Sequence, residues 1–195
     1  MYQLFDSPVL TVDQPRRAPS ARSEYKVFDG QGTLVARAAE GDVSALKKTF
    51  RVVLGDGGAG RVVHVESPDG HPLLTVQGGS DWAQAGLPDG TVVGSIRRAT
   101  NRRHAFDVLD AAGRPIGAMD AGPWMRKFRI VDANGTHVAQ MDKKWKGFAT
   151  EMALSADKYR LEIHRATADP LRTLVVVSPL AIDLILYEGK DWIPG

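Results

Sequence analysis

Two clusters of basic residues are the strongest chemical signal in the sequence. One spans Arg97 to His104, and the other spans Lys143 to Lys146. Anionic lipid headgroups attract each Lys or Arg near a membrane surface by about 1 kcal/mol, and tryptophan favours the interfacial zone. The clusters predict one headgroup-binding patch if the turn at Asn101 and the strand end at Lys143 share a rim of the fold. The candidate residues are Arg97, Arg98, Arg102, Arg103, Lys143, Lys144, Trp145 and Lys146.

Two other interpretations of these clusters stay open. The charges could simply keep exposed loops soluble, or they could bind nucleic acid, with a base stacked on Trp145. A formal net charge of +2 and the acidic residues scattered between the clusters argue against nucleic acid. Those acidic residues are Asp107, Asp110, Asp132 and Asp142.

No catalytic or metal-binding pattern is recognisable in the 195 residues. The absence of cysteine excludes disulfides, thiolate zinc sites, cysteine nucleophiles and palmitoyl anchors. The histidines lack zinc-ligand spacing, and no serine lies in a Gly-x-Ser-x-Gly context. We therefore predict a non-enzymatic protein without a metal or cofactor. A carboxylate pair at a barrel mouth would be invisible in the sequence, so a hydrolase stays open as an alternative.

A recurring hairpin unit must position the basic clusters. A run alternating between apolar and polar residues is followed by a turn such as Asp-x-x-Gly and a second alternating run. The units span residues 25–37, 62–76, 106–119 and 128–141. Further strands are predicted at Thr49–Leu54, Thr91–Arg97, Thr150–Leu154 and Lys158–His164. About a dozen short antiparallel strands indicate a barrel or sandwich.

The C-terminal segment breaks this pattern and predicts a helix over about residues 170–188, beginning at Asp169-Pro170. Apolar residues cover nearly every face, which indicates burial all round. An Asp near a bilayer centre costs about 3 kcal/mol, so Asp183 favours a helix inside the barrel over a membrane span. Asp183 then needs an internal partner, for which we expect a backbone amide or an arginine. The predicted core of this helix is Leu174, Val177, Leu180, Asp183 and Leu184.

The remaining chain divides simply. Residues 1–23 are predicted to form an N-terminal arm and linker, with residues 24–195 as one mainly β domain. Trp82, Trp124 and Trp192 are expected to be structural, each capping a hairpin or closing a barrel end. Because the N-terminus lacks the features of a secretory signal, we expect a cytoplasmic protein, with peripheral membrane attachment as an option.

Residues 138–163, followed by Leu171 to Glu188, resemble the C-terminal half of the phospholipid scramblases. The likeness rests on the Lys143-Lys-Trp strand end, the Ala156-Asp-Lys-Tyr turn and the closing Leu180-Ala-Ile-Asp-Leu-Ile-Leu-Tyr-Glu. The Asp-x-x-Gly hairpins are similar to those of LURP-one-related proteins, which share the tubby C-terminal fold. The resemblance implies a twelve-stranded antiparallel barrel around a central helix, and contact with membrane phospholipid. A structural or protein-interaction module without a lipid ligand is the alternative.

The resemblance also bears on calcium. The segment corresponding to the proposed scramblase calcium site is residues 155–166, where Ser155 and Ala166 stand at positions that need acidic ligands. The two remaining carboxylates, Asp157 and Glu162, are too few for a six-oxygen site. We therefore expect no physiological calcium binding.

Overall fold

The computed structural model describes residues 3–14, 24–41, 60–144 and 157–188, in which twelve strands form a closed antiparallel barrel. A one-turn helix precedes the barrel, and a long helix follows it. The predicted strands Thr49–Leu54 and Thr150–Leu154 lie outside the described residues. The elements are α1 Gln3–Asp6, β1 Val9–Gln14, β2 Glu24–Asp29, β3 Leu34–Glu40, β4 Arg61–Glu66, β5 Pro72–Gly78, β6 Trp82–Gly86, β7 Val92–Arg98, β8 Ala105–Asp110, β9 Pro115–Ala121, β10 Lys127–Asp132, β11 His137–Lys144, β12 Asp157–Ile163 and α2 Leu171–Glu188.

Alternation along β10 shows which of its faces is buried. In β10, Phe128 and Ile130 are buried inside the barrel, whereas Lys127 and Arg129 are exposed. A strand has a side-chain period of two, so a shift of one residue would bury the charges instead. The closed order of twelve antiparallel strands confirms the predicted mainly β barrel.

Five hairpin turns lie together at one end of the barrel, which we call the turn end. They join β2 to β3, β4 to β5, β6 to β7, β8 to β9 and β10 to β11. In the turn after β8, Asp110 Oδ1 accepts hydrogen bonds from the backbone N–H groups of Ala112 and Arg114, both at 2.9 Å. Gly113 has a φ of 79°, a conformation that favours glycine. Four of these hairpins were predicted from the sequence, and the β6–β7 hairpin was not.

Strand β1 closes the barrel. It pairs with β12 on one side and with β2 on the other. Without it, both neighbours would expose unpaired backbone groups along an edge. Val9–Gln14, which we predicted to belong to an N-terminal arm, is therefore part of the barrel wall.

Helix α2 fills the barrel interior, as predicted. Leu174, Val177, Leu180, Asp183 and Leu184 are each at most 4% exposed. The helix begins at Leu171, one residue later than expected, and Asp169 Oδ1 caps its first turn by accepting from the Thr173 backbone N–H at 3.1 Å.

Helix α2 runs from the turn end to the opposite end, which we call the loop end. Its first turn is tied to α1 by Arg172, whose guanidinium donates to the backbone oxygens of Phe5 and Ser7. Burial lowers the pKa of Arg172, partly offset by the charges of Asp6 and Asp169. At the loop end, Leu184 packs on Gly78, where an added Cβ would lie 3.0 Å from the Leu184 Cβ.

Candidate functional site: a basic rim at the loop end

Two neighbouring connections and the end of β11 bring the predicted basic clusters onto one rim. The β7–β8 connection carries Arg102 and Arg103, and its His104 carbonyl accepts from the Ala121 N–H at 2.8 Å. The β9–β10 loop that follows Ala121 is bonded in turn to β11, because the Lys143 N–H donates to the Arg126 carbonyl at 2.7 Å. The turn at Asn101 and the strand end at Lys143 therefore share the loop end of the barrel. We call this surface the basic rim; the cations whose side chains are described there are Arg97, Arg98, Arg102, Arg103, Arg126, Lys127 and Lys143.

The arginines of the β7–β8 region differ in how they are engaged. Arg102 bridges Asp107 at 2.8 Å and Asp120 at 3.2 Å, and all three side chains are exposed. The Arg98 guanidinium lies 5.6 Å from the centre of the buried Phe106 ring, within cation–π range. Arg97 and Arg103 are exposed and form no ion pair with the described residues. These two are therefore the arginines best placed to meet an external anion.

Residues 98–104 also line an open cavity of about 400 Å³. Its walls are mostly polar, and it faces outward beside Arg103. His104 has a φ of 56°, so the connection turns sharply before β8. The cavity gives the β7–β8 side of the rim a concave surface.

The second cluster is only partly described. The Lys143 ammonium lies 5.1 Å from the centre of the buried Tyr159 ring. Lys144 ends β11 and is paired in register with Lys158 of β12. Trp145 and Lys146 lie outside the described residues.

Trp124 is a rim residue that the sequence analysis assigned wrongly. We expected it to be structural, but it is 73% exposed at the tip of the β9–β10 loop. The loop is a closed hairpin, since the Gly122 N–H donates to the Lys127 carbonyl at 2.9 Å. Met125 is buried with a φ of 49° and anchors the loop in the barrel while Trp124 points away from it. Spacing could not reveal this, because any aromatic beside a turn can fold inward or outward.

The two ends of the barrel differ in charge. Each of the five turns at the turn end contains an aspartate, and local backbone N–H groups hold the pKa of two of them, Asp89 and Asp110, below the ordinary value. The rim cations, by contrast, have four neighbouring carboxylates at Asp81, Asp107, Asp120 and Asp142. Among the described residues, the rim therefore carries an excess of positive charge and the five turns carry an excess of negative charge. The turn aspartates are Asp29, Asp69, Asp89, Asp110 and Asp132.

Below the rim, Asp183 of α2 is held by two hydroxyl groups. Tyr25 donates to Asp183 Oδ2 at 2.8 Å, and Tyr159 donates to Oδ1 at 3.0 Å. The prediction that a backbone amide or an arginine is the hydrogen-bond partner of Asp183 was therefore wrong. Arg61 instead forms a two-bond ion pair with Glu40. Burial opposes ionisation of Arg61, but the hydrogen bonds and charge of Glu40, with the charge of Asp183, raise its pKa above the ordinary value.

The segment that corresponds to the proposed scramblase calcium site has its two carboxylate residues at separate positions of one strand. Asp157 and Glu162 are five positions apart on β12, or about 17 Å along the strand, whereas calcium ligands lie within about 2.6 Å of the ion. Glu162 is paired with Arg160 at 2.7 Å. Within the described ranges, no group of three His, Cys, Asp or Glu side chains is arranged to hold a metal.

A closed antiparallel barrel wrapped around a C-terminal helix, with a basic rim at one end, defines a class of helix-filled β-barrel domains. The sequence profile of the scramblase family matches residues 21–189, so the chain belongs to the scramblase family. This confirms the resemblance seen in the sequence.

Among solved structures, the chain is similar to a protein from Arabidopsis thaliana. The two share 15% identity over 88% of this chain and 90% of that chain, with a TM-score of 0.48. No curated protein sequence matches the chain significantly. Within the part of the chain that the structure describes, no helix combines the length and hydropathy that crossing a bilayer requires.

Proposed function

We propose that this scramblase-family domain binds the anionic headgroups of a membrane surface through the basic rim, as a peripheral protein. The observation that carries the proposal is the charge separation between the two ends of the barrel. An anionic bilayer attracts the loop end and repels the turn end, so the same field that recruits the protein also orients it. Membership in the scramblase family supports a membrane association of this kind.

The individual cations divide the rim into contributors and bystanders. Arg97 and Arg103 are exposed, and neither is in an ion pair with a described side chain, so a phosphate can approach them directly. Arg102 already shares its charge with Asp107 and Asp120, so its attraction for an external anion is reduced. We therefore expect Arg97 and Arg103 to contribute more to lipid binding than Arg102.

The test is co-sedimentation of the full chain with vesicles of phosphatidylcholine containing phosphatidylserine. In the variant Arg97→Gln/Arg103→Gln, two interactions of about 1 kcal/mol each are lost, so the partition coefficient should fall about 30-fold. The matched control is Arg114→Gln/Arg165→Gln, which removes the same charge from exposed positions at the turn end.

The control separates a local contact from a net-charge effect. We expect it to bind like the wild type, because its arginines face away from the bilayer in the proposed orientation. Equal losses in both double variants would refute a specific rim. If the wild-type chain fails to sediment with phosphatidylserine vesicles, the headgroup proposal is wrong and an interaction module without a lipid ligand is favoured.

A further inference from the structure

We infer that the β9–β10 loop is a membrane anchor, in which Trp124 enters the interfacial zone of the bilayer and docks the barrel with its loop end down. This inference rests on the proposed headgroup binding and adds to it the depth and orientation of the bound state. It concerns an apolar contact, which is separate from the attraction between the rim cations and the headgroups.

Trp124 is largely exposed to solvent. Two large apolar side chains are exposed among the described residues: Leu87, 39% exposed, and Trp124, 73% exposed. They lie at opposite ends of the barrel, Leu87 in an acidic turn and Trp124 on the basic rim. An exposed indole has an apolar body and one N–H donor, which suits the boundary between headgroups and acyl chains.

The backbone of the β9–β10 loop holds Trp124 in a fixed position. The hydrogen bond from Gly122 N–H to Lys127 O closes the hairpin, and Met125 is buried at 6% exposure. Trp124 therefore projects from a fixed tip, so little conformational entropy is lost when it inserts. A fixed, projecting indole is the geometry of an anchor, whereas a tryptophan that caps a barrel would lie flat on its end.

The surrounding charge identifies a lipid surface as the occupant. Lys127, the first residue of β10 after the loop, is exposed. The β7–β8 connection, which carries Arg103, is hydrogen-bonded to the end of β9, the strand before the loop. An apolar group surrounded by cations complements an anionic bilayer in both respects, with an oily layer below and negative headgroups around it. An acidic protein partner would satisfy the cations but would not present a continuous apolar layer to the indole.

The natural absence of cysteine makes a site-specific probe straightforward. Trp124→Cys, labelled with an environment-sensitive nitrobenzoxadiazole dye, should show blue-shifted, brighter emission with phosphatidylserine vesicles, and lipids brominated in the acyl chain should quench it. Leu87→Cys, labelled in the same way, is the matched control, and its emission should not change. A dye at position 124 that stays in water while the protein sediments would overturn the anchor and leave headgroup binding intact.

A second variant removes dependence on the label. Trp124→Ser should lower partitioning into phosphatidylserine vesicles about tenfold. In the wild type about half the apolar surface of the indole leaves water when the loop inserts, and the variant lacks this surface. Leu87→Ser should leave partitioning unchanged. Unchanged binding by Trp124→Ser would contradict the inference. Loss of all vesicle binding by the wild-type chain would instead refute the underlying proposal.

Discussion

The buried carboxylate of Asp183 gives the sharpest test of how the helix is held in the barrel. Tyr25 and Tyr159 each donate one hydroxyl hydrogen bond to it, at 2.8 and 3.0 Å, and Asp183 is only 4% exposed. A hydrogen bond to a charged group contributes about 1.5–3 kcal/mol. Tyr159→Phe should therefore lower the free energy of unfolding by about 2 kcal/mol, because Oδ1 stays buried without that donor.

Urea unfolding at neutral pH measures this effect directly. For a chain of this size, a loss of about 2 kcal/mol corresponds to a fall in Tm of about 4–8 °C. Tyr25→Phe should cost a similar amount, and the double variant should lose at least the sum of the two. The slope of the free energy of unfolding against urea concentration should not change, which would show that the folded and unfolded states keep their compactness.

Ser178→Ala is the matched control for removal of a buried hydroxyl. Ser178 is completely buried and donates at 2.8 Å to the carbonyl of Val175, within its own helix. That bond is neutral and local, so its loss should change the free energy of unfolding by no more than about 0.5–1 kcal/mol. If Tyr159→Phe is as mild as Ser178→Ala, the carboxylate does not need its tyrosine donors, and the reasoning fails.

Three further predictions address packing and turn chemistry. Leu184→Ala should cost about 2–5 kcal/mol in urea unfolding, whereas the exposed Leu87→Ala should stay within about 0.5 kcal/mol of the wild type; equal effects would contradict the burial of α2. Gly117→Ala should cost about 1–3 kcal/mol, because its Cβ would lie 2.6 Å from the Val131 carbonyl oxygen. Gly122→Ala should cost less, because its Cβ would lie 3.9 Å from the Lys127 carbonyl oxygen, an ordinary van der Waals distance. Because folding lowers the pKa of Asp110, its carboxylate stabilises the fold at pH values above its ordinary pKa of 3.8. This contribution is lost as the pH falls through the lower pKa of the folded state. Urea midpoints between about pH 6 and about pH 3 should therefore fall less in Asp110→Asn than in the wild type, and identical slopes would refute the assignment.

The sequence predicted the fold where the determining interactions are local. An Asp-x-x-Gly turn fixes its own hydrogen bonds, and three of the four hairpins identified from their spacing have one; the fourth has the similar turn Ser67-Pro-Asp-Gly70. The hairpin containing β6 was missed because Trp82-Ala-Gln-Ala-Gly86 has no β-branched residue and only a weak alternation. The burial of α2 followed from its apolar faces together with one unfavourable aspartate.

The candidate site depended more on contacts that are distant in sequence. The sequence predicted a single patch only if both basic clusters share one rim. The hydrogen bonds that join the β7–β8 connection to β9, and the β9–β10 loop to β11, satisfy this condition. The partners of Asp183 lie on β2 and β12, and nothing in the spacing of Tyr25 or Tyr159 relates them to the helix. The exposure of Trp124 depends on the buried Met125 beside it, which only the folded hairpin reveals.

The most direct test of the central claim is the binding of the unmodified chain to vesicles of graded phosphatidylserine content at several salt concentrations. Attraction between a basic rim and a charged surface is screened within about 8–10 Å at about 0.1–0.15 M salt. We predict negligible sedimentation with pure phosphatidylcholine, binding that rises steeply with the phosphatidylserine fraction, and a marked decrease as salt increases. Equal binding to neutral and anionic vesicles, or binding that salt does not change, would contradict a membrane-facing basic rim.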